Sequence, residues 1–455
     1  MYRYSDIEKI KLNLDNIVEQ AAIIYKTNYE PTLDENRKVY QELLNYIRDK
    51  KKIIYGGYAQ NSLILMKNEN DAFYKETDTP DIEFYSFEPL TDLIELCDYL
   101  KNKNFKYVQS QEGVHEGTYK IFVNFINYCD IAYLPKNIYD NLKYIENNDK
   151  LRFTDPNFML VDTYRVFTDP MSSYWRLDKT FKRYLKLFKY YPITNNNDQI
   201  KFEFLTPENI LNDIRKKIIH NSNYIVVGSY AYNYYVSKIN KNLMVKINFY
   251  ELITENLKKE CINIYKKLKT LFGNKITVKE YYPFYEFFDY RIEFLYDNQI
   301  ILRLYNNNDR CIVYNKSDKK KTKFGTTQLI LLYLLSNYNY YYINRNKLDS
   351  NNYINMFLNL NKSKNDYLDK HNITVLDNSP FQEFKFTCLG KPYDLIREER
   401  LTMVENKKKN KKAKFRYNPS DKPGVPPQYI FSNISGNQVI NNKNLIIKIL
   451  KFNSL

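Results

Sequence analysis

Apolar positions in the first fifty residues recur at helical spacing: Leu12, Leu14, Ile17, Ala21 and Ile24 fall in one stretch, and a second helix is predicted from Asn36 to Lys50, after Pro31. At Lys51 the period changes. Ile53-Ile54-Tyr55 reads as a short strand, Gly56-Gly57 follows, and Ala59, Leu63 and Ile64 share one face of the next helix. A polar loop from Asn68 to Pro80 leads into a strand, Asp81 to Phe87. Alternation there puts Asp81, Glu83 and Tyr85 on one face and Ile82 and Phe84 on the other. Pro89 opens a helix, where its missing N–H is not needed, and Leu90, Leu93, Ile94, Cys97 and Leu100 form its apolar stripe. Strands are predicted around Lys106 to Ser110 and Tyr119 to Phe125, and a further apolar stretch carries Cys129-Asp130-Ile131-Ala132-Tyr133. Residues 151–215 and 326–360 read as mainly helical, Lys407 to Lys414 as an exposed loop, and the proline-bearing tail from Asn418 to Leu455 as ending in one more helix or strand.

Part of this pattern occurs twice. Ile225-Val226-Val227-Gly228-Ser229-Tyr230-Ala231 repeats Ile53-Ile54-Tyr55-Gly56-Gly57-Tyr58-Ala59, and Lys246-Ile247-Asn248-Phe249-Tyr250 repeats Asp81-Ile82-Glu83-Phe84-Tyr85. In the second copy a helix follows, with Leu257, Cys261, Ile264, Leu268 and Leu271 on one face and Gly273 as its stop. The expected architecture is α+β, with an internal duplication of one α/β unit. The segments are an N-terminal helical stretch (1–50), a first unit (51–150), a helical link (151–215), a degenerate second unit (216–320) and a C-terminal helical region with a basic loop and tail (321–455).

Length and composition fit this picture. A chain of 455 residues with 44% hydrophobic positions has material for several cores. The formal charge of +16 points to a polyanionic partner such as nucleic acid or an anionic surface. Part of that charge is compositional, since 46 tyrosines against 10 glycines mark the residue bias of an AT-rich coding sequence. The five cysteines form no Cys-x-x-Cys pair and are odd in number, so neither a disulfide framework nor a zinc site is expected, and a reducing, cytoplasmic setting fits best. The stretch Met1-Tyr2-Arg3-Tyr4-Ser5-Asp6 has no apolar signal region, and the run Leu329 to Leu335 is far short of the roughly 20 residues that cross a bilayer, so no membrane association is expected.

The acidic strand carries the chemistry. Two carboxylates on one strand face repel each other, and a divalent cation removes that penalty. Mg²⁺ favours one or two carboxylates together with phosphate oxygens. Gly56-Gly57, between a strand and a helix, offers close backbone approach and a helix N-terminus for a triphosphate, with Asn61 and Ser62 as side-chain donors. Asp130 is the candidate third carboxylate for a two-ion site. Each element alone has a bland counterpart, a tight turn or a solvated strand face. Their order along the chain is what points to metal-assisted phosphoryl chemistry. The basic helix after Trp175 adds Arg176, Lys179, Arg183 and Lys186, suited to phosphates or simply to solvent. Tyr164 and Trp175 are candidates for base stacking, with core packing the commoner role.

The series Gly56-Gly57-Tyr58, Asp81-Ile82-Glu83 and Asp130 resembles the polymerase-beta-type nucleotidyltransferase signature, with a longer loop between glycines and acids than usual. More widely, Gly56-Gly57-Tyr58-Ala59-Gln60-Asn61-Ser62-Leu63, Asp81-Ile82-Glu83-Phe84-Tyr85-Ser86, Cys129-Asp130-Ile131-Ala132-Tyr133, Asp162-Thr163-Tyr164-Arg165 and Tyr174-Trp175-Arg176-Leu177-Asp178-Lys179 are similar to the poly(A) polymerase catalytic subunits of large DNA viruses, of the mimivirus-like kind. The resemblance implies two nucleotidyltransferase-like units and template-independent addition of AMP from ATP to an RNA 3′ end. It implies two Mg²⁺ or Mn²⁺ ions on Asp81, Glu83 and Asp130, and nucleotide contacts from Gly56, Gly57, Asn61, Ser62, Lys179 and Arg183. It also implies a viral-factory or virion location. The residues leave open a CCA-adding or oligoadenylate-type enzyme, a non-catalytic RNA scaffold, and either an internal pseudo-dimer or a homodimer. In the second copy Lys246 and Asn248 are expected where the first has Asp81 and Glu83, which would leave that copy without metal ligands.

Overall fold

This computed structural model describes residues 2–420 apart from 30, 76, 116, 195–199, 203–205, 308–309, 318–320, 393 and 410–413. The end of the chain, where a last helix or strand was expected, lies outside the described residues. The chain divides into two compact units. The first comprises the chain up to Leu134, Lys143–Thr154 and the described stretch from Glu399 onward; the second comprises Pro135–Leu142 and Asp155–Glu398. The class is α+β, each unit resting on an eight-stranded mixed sheet.

In the first unit the strand order is Arg416–Tyr417, Gln109–Glu112, Thr118–Val123, Ile126–Tyr133, Ile82–Ser86, Ile53–Tyr55, Arg152–Thr154 and Tyr144–Glu146. Ile53, Ile54, Ile82, Phe84, Cys129 and Ile131 are buried at its centre. The Pro89–Asn102 helix lays Leu93, Leu96, Cys97 and Leu100 into this core. Its buried Asp92 accepts hydrogen bonds from Tyr46, Lys52 and Ser86, joining that helix to the sheet and to the Leu33–Asp49 helix. The first helix, Tyr4–Asn28, buries none of its residues; Lys26 Nζ donates to the Thr77 carbonyl at 3.0 Å, pinning the loop that leads to Asp81.

In the second unit the order is Ile276–Tyr281, Arg291–Tyr296, Gln299–Asn306, Tyr250–Thr254, Ile225–Val227, Thr322–Gly325, Ile312–Ser317 and Cys388–Leu389. The almost wholly buried Thr327–Ile343 helix packs between the Lys347–His371 and Pro156–Thr168 helices. From the Gln109–Glu112 and Ile276–Tyr281 strands across to Tyr144–Glu146 and Ile312–Ser317, the two sheets correspond strand for strand. Every junction has the same parallel or antiparallel sense. The duplication expected from the sequence is therefore present in the topology.

Its register is not where the letters placed it. Residues 244–248 form no strand; the strand is Tyr250–Thr254, and Val227 pairs with Glu251 as Tyr55 pairs with Glu83. The counterparts of Asp81 and Glu83 are thus Phe249 and Glu251, and Lys246 and Asn248 lie in the preceding loop. Three further expectations are corrected. Cys311 and Cys388 form a disulfide beside the paired strands Ile312–Ser317 and Cys388–Leu389, while Cys97, Cys129 and Cys261 are free and buried. The start of the lysine-rich run belongs to the Leu395–Lys408 helix, and Lys414 is engaged by the Gly113 carbonyl and Glu399. In the Leu177–Tyr190 helix, where the sequence places an apolar stripe of Leu177, Phe181, Leu185 and Phe188, Phe181 and Leu185 are exposed and the buried residue is Leu187. Among the described residues no helix is long and apolar enough to cross a membrane.

Candidate active site

The acidic face forms where two parallel strands run side by side. Pairing of Ile82–Ser86 with Ile126–Tyr133 sets Glu83 directly opposite Asp130, and Asp81 lies one pleat before Glu83 on the same face. Ile82 and Phe84 point into the core at 0% exposure, which fixes the register, because a one-residue slip would bury the carboxylates instead. On the far side of Asp130 its antiparallel neighbour is Lys120. The Lys120 ammonium lies 2.6 Å from Asp130 Oδ2, and Asn127 Nδ2 donates to Oδ1 at 2.9 Å. Asp130 is buried, and its pKa is raised, first by that burial; Lys120 opposes the shift and Asp81 adds to it.

Gly56 sits at φ +70°, and a Cβ there would lie 1.6 Å from Glu83 Oε2. The same oxygen accepts from Gly57 N–H at 3.0 Å. The group brought close by the glycine pair is therefore the protein's own carboxylate, which neutralises the positive end of the Gly56–Leu65 helix. Asn61, expected to donate to phosphate, is buried; its Oδ1 accepts from Phe73 N–H at 2.8 Å and Tyr74 N–H at 3.2 Å. Asn233 holds Val245 in the same way in the second unit, which marks this amide as a loop anchor. Ser62 is half-buried in the second turn of its helix, beyond the terminal N–H groups. Lys179 and Arg183 belong to the second unit, on the Leu177–Tyr190 helix, Lys179 exposed and Arg183 half-buried. Tyr164 is buried and packs edge-on against Phe167 and Phe357, whereas Trp175 is exposed.

Three contributors were missed from sequence: Lys120, Asn127 and Tyr40. Tyr40 donates its hydroxyl to the Pro80 carbonyl, next to Asp81, and its pKa is raised by burial and then by Asp81. Lys120 carried a signal, a lone cation in a strand whose alternate residues Tyr119, Ile121 and Val123 are apolar, but its partner depends on sheet register.

The donor set suits a hard divalent cation. Asp81, Glu83 and Asp130 against one Lys120 leave a formal charge of −2 on this face. Among the described residues no three acidic, histidine or cysteine side chains close around one point. Glu83 is turned to Gly57, and Asp130 to Lys120 and Asn127.

The second unit answers the same geometry differently. Gly228, at φ +64°, would place a Cβ 1.8 Å from Glu251 Oε2, so the glycine and glutamate persist. Opposite Glu251, where the first unit has Asp130, stands Arg303; opposite Arg303, where the first has Lys120, stands Glu293. Arg303 Nε donates to Glu293 at 2.9 Å, its Nη1 reaches Glu251 at 3.3 Å, and its guanidinium lies 4.9 Å from the ring of Phe249, the counterpart of Asp81. Arg291 adds a second cation 3.8 Å from Glu293, and Tyr305 donates to Glu251 at 2.8 Å. All four charged groups are buried and their formal charges cancel. A guanidinium stands where the first unit has the Asp130 carboxylate.

Comparison with known proteins gives the family. Residues 41–173 match the family model of the poly(A) polymerase catalytic subunit, and residues 185–449 match that of the C-terminal part of the APMV poly(A) polymerase catalytic subunit. A poly(A) polymerase catalytic subunit of Acanthamoeba polyphaga mimivirus is 32% identical over 98% of this chain and 85% of its own length. One from African swine fever virus (isolate Pig/Kenya/KEN-50/1950) is 29% identical over 32% of each chain. The crystal structure of the Megavirus polyadenylate synthase superposes with a TM-score of 0.87 at 32% identity, covering 92% of this chain and 87% of that one. With both units matched and 98% of the chain covered by a relative, the chain belongs to the poly(A) polymerase catalytic subunits of large DNA viruses, a family of nucleotidyltransferases.

Proposed function

We propose that the first unit adds AMP from ATP, without a template, to the 3′ ends of viral mRNA, using two Mg²⁺ or Mn²⁺ ions held by Asp81, Glu83 and Asp130. One observation carries the reading. Two sheets of the same topology present the same row of positions, and the first leaves a net negative charge where the second closes the row with Arg303. When bound, the ions neutralise the phosphates and lower the pKa of the attacking 3′-hydroxyl. The chain's own residues supply position. Glu83, seated against Gly56 and Gly57, cannot swing freely. Asp130 is oriented by Asn127 on one oxygen and Lys120 on the other. Tyr40, through the Pro80 carbonyl, steadies the backbone that delivers Asp81. Charge stabilisation at fixed positions is the main catalytic contribution of such a site. The second unit, with no open carboxylate pair, is silent.

The test is a labelled RNA primer incubated with Mg²⁺ or Mn²⁺ and each nucleoside triphosphate singly. A ladder with ATP alone is expected. Asp81→Asn and Asp130→Asn should each reduce extension by about 10³-fold or more with an unchanged circular-dichroism spectrum. Addition of C with CTP would point to CCA-type chemistry instead, and full activity in Asp81→Asn would overturn the site.

A further inference from the structure

A second exposed feature is not used by the reaction centre. Asp169 caps the Pro170–Ser173 turn by accepting from Ser172 N–H at 3.3 Å, and the chain then makes a 3₁₀ turn, Tyr174–Arg176, before the Leu177–Tyr190 helix. This turn carries the sole tryptophan of the chain. Tyr174 is 73% exposed and Trp175 65%. Two consecutive large aromatic rings exposed together form a candidate interaction patch, which a single exposed apolar side chain does not. The Arg176 guanidinium lies over the Trp175 ring, 5.0 Å from its centroid, so one face of the ring carries a cation. Helical spacing then places Lys179, Arg183 and Lys186 in a line running from Trp175 along the helix. Between residues 174 and 190 there are six basic side chains and one acidic one, Asp178, which pairs with Lys182 at 2.8 Å.

We propose that Trp175, with Tyr174, is a stacking platform for bases of single-stranded RNA, and that the basic line behind it follows the phosphates. Exposed aromatic faces beside a positive track are the combination that binds single strands with little sequence preference, because every base has a π-face and every linkage a charge. An apolar protein partner would match Phe181 and Leu185 but not the excess of positive charge. The proposal rests on the RNA-extending function above and adds a holding site for the primer.

The sole tryptophan makes the test direct. The full chain is titrated with a ~15-nucleotide single-stranded RNA carrying a 5′ dye, and dye anisotropy and tryptophan emission are followed together, tryptophan being excited where tyrosine does not absorb. Saturable quenching that tracks the anisotropy and weakens with salt is expected. Trp175→Ala should bind the RNA roughly tenfold or more weakly and raise KM for primer with KM for ATP unchanged, whereas Trp175→Phe should keep most of the affinity. Because the ring is exposed, both variants should melt with the wild type. Binding seen by anisotropy without a change in emission, or Trp175→Ala binding as wild type, would overturn the platform. So would a Trp175→Ala variant that changes only the sedimentation of the protein, since that marks a protein contact. The anisotropy arm does not depend on catalysis. Failure of the wild type to extend any primer would count against the proposed function, whereas extension with an indifferent tryptophan counts against the platform alone.

Discussion

Gly56 is constrained twice, by a backbone at positive φ that suits glycine and by a carboxylate where a methyl group would go. Gly56→Ala should therefore destabilise the first unit by about 1–3 kcal/mol in urea unfolding and, by displacing Glu83, slow extension by about 10²-fold. Gly228→Ala meets the same obstacle in Glu251. It should show a similar loss of stability with unchanged activity per folded molecule, so the pair of variants separates the structural role of this glycine from its effect on catalysis. Arg303 offers the opposite case. Replacing it by methionine would leave Glu251 and Glu293 buried without their shared cation, a loss of about 3–5 kcal/mol. A drop in denaturation midpoint without any gain in metal binding is the expected outcome.

At the scale of single elements, the order of helices and strands up to Tyr133 was legible because burial imposes its period locally, whereas the strands from Ile276 to Gly325 were not assigned from the sequence. Ile82 and Phe84 alternate with the acids, and Leu93, Leu96, Cys97 and Leu100 line one side of a helix. Asp81 and Glu83 share a face by the same alternation, whereas the place of Asp130 opposite Glu83 comes from the pairing of two strands. Register between copies did not follow. Lys246-Ile247-Asn248-Phe249-Tyr250 mimics the first acidic strand in its letters, but the strand position is set by the contact of Glu251 with Gly228 and by the grip of Asn233 on Val245. Both are side-chain contacts that no periodicity displays. Asn61 was misread for the same reason, since an amide's role depends on which loop passes over it. The Ile276–Tyr281 strand carries a buried carboxylate, Glu280, whose pKa burial pushes up to about 7. Its folded pKa exceeds the unfolded one, so the folded chain binds the proton more tightly. The resulting stability is present below about pH 4.3 and is lost as pH rises through 7. Glu280→Gln should stabilise the fold at pH 8 by on the order of 1–3 kcal/mol, seen as a higher melting temperature, with the difference vanishing near pH 4.5.

For the whole molecule, two sheets of one topology with one open site mean that ligand should act on half of the chain. Mg²⁺ with ATP at about 100 times its dissociation constant would stabilise what it binds by about 2.7 kcal/mol. Hydrogen exchange should then slow in the Gly56–Leu65 helix and the Ile82–Ser86 strand and remain unchanged in the Gly228–Val236 helix and the Tyr250–Thr254 strand. Equal protection of both would contradict a silent second unit. The retained contact of glycine and glutamate in both copies also bears on how duplicated domains are sorted by descent. Gly228 and Glu251 are still together in a copy whose row is closed by arginine, so this contact belongs to the fold and is not by itself a mark of activity. In an alignment of such chains the glycine–glutamate pair would look invariant and invite a catalytic label in both halves. The informative position is the one across the strand, Asp130 in one half and Arg303 in the other: a single change of sign there separates an open acidic row from a closed one.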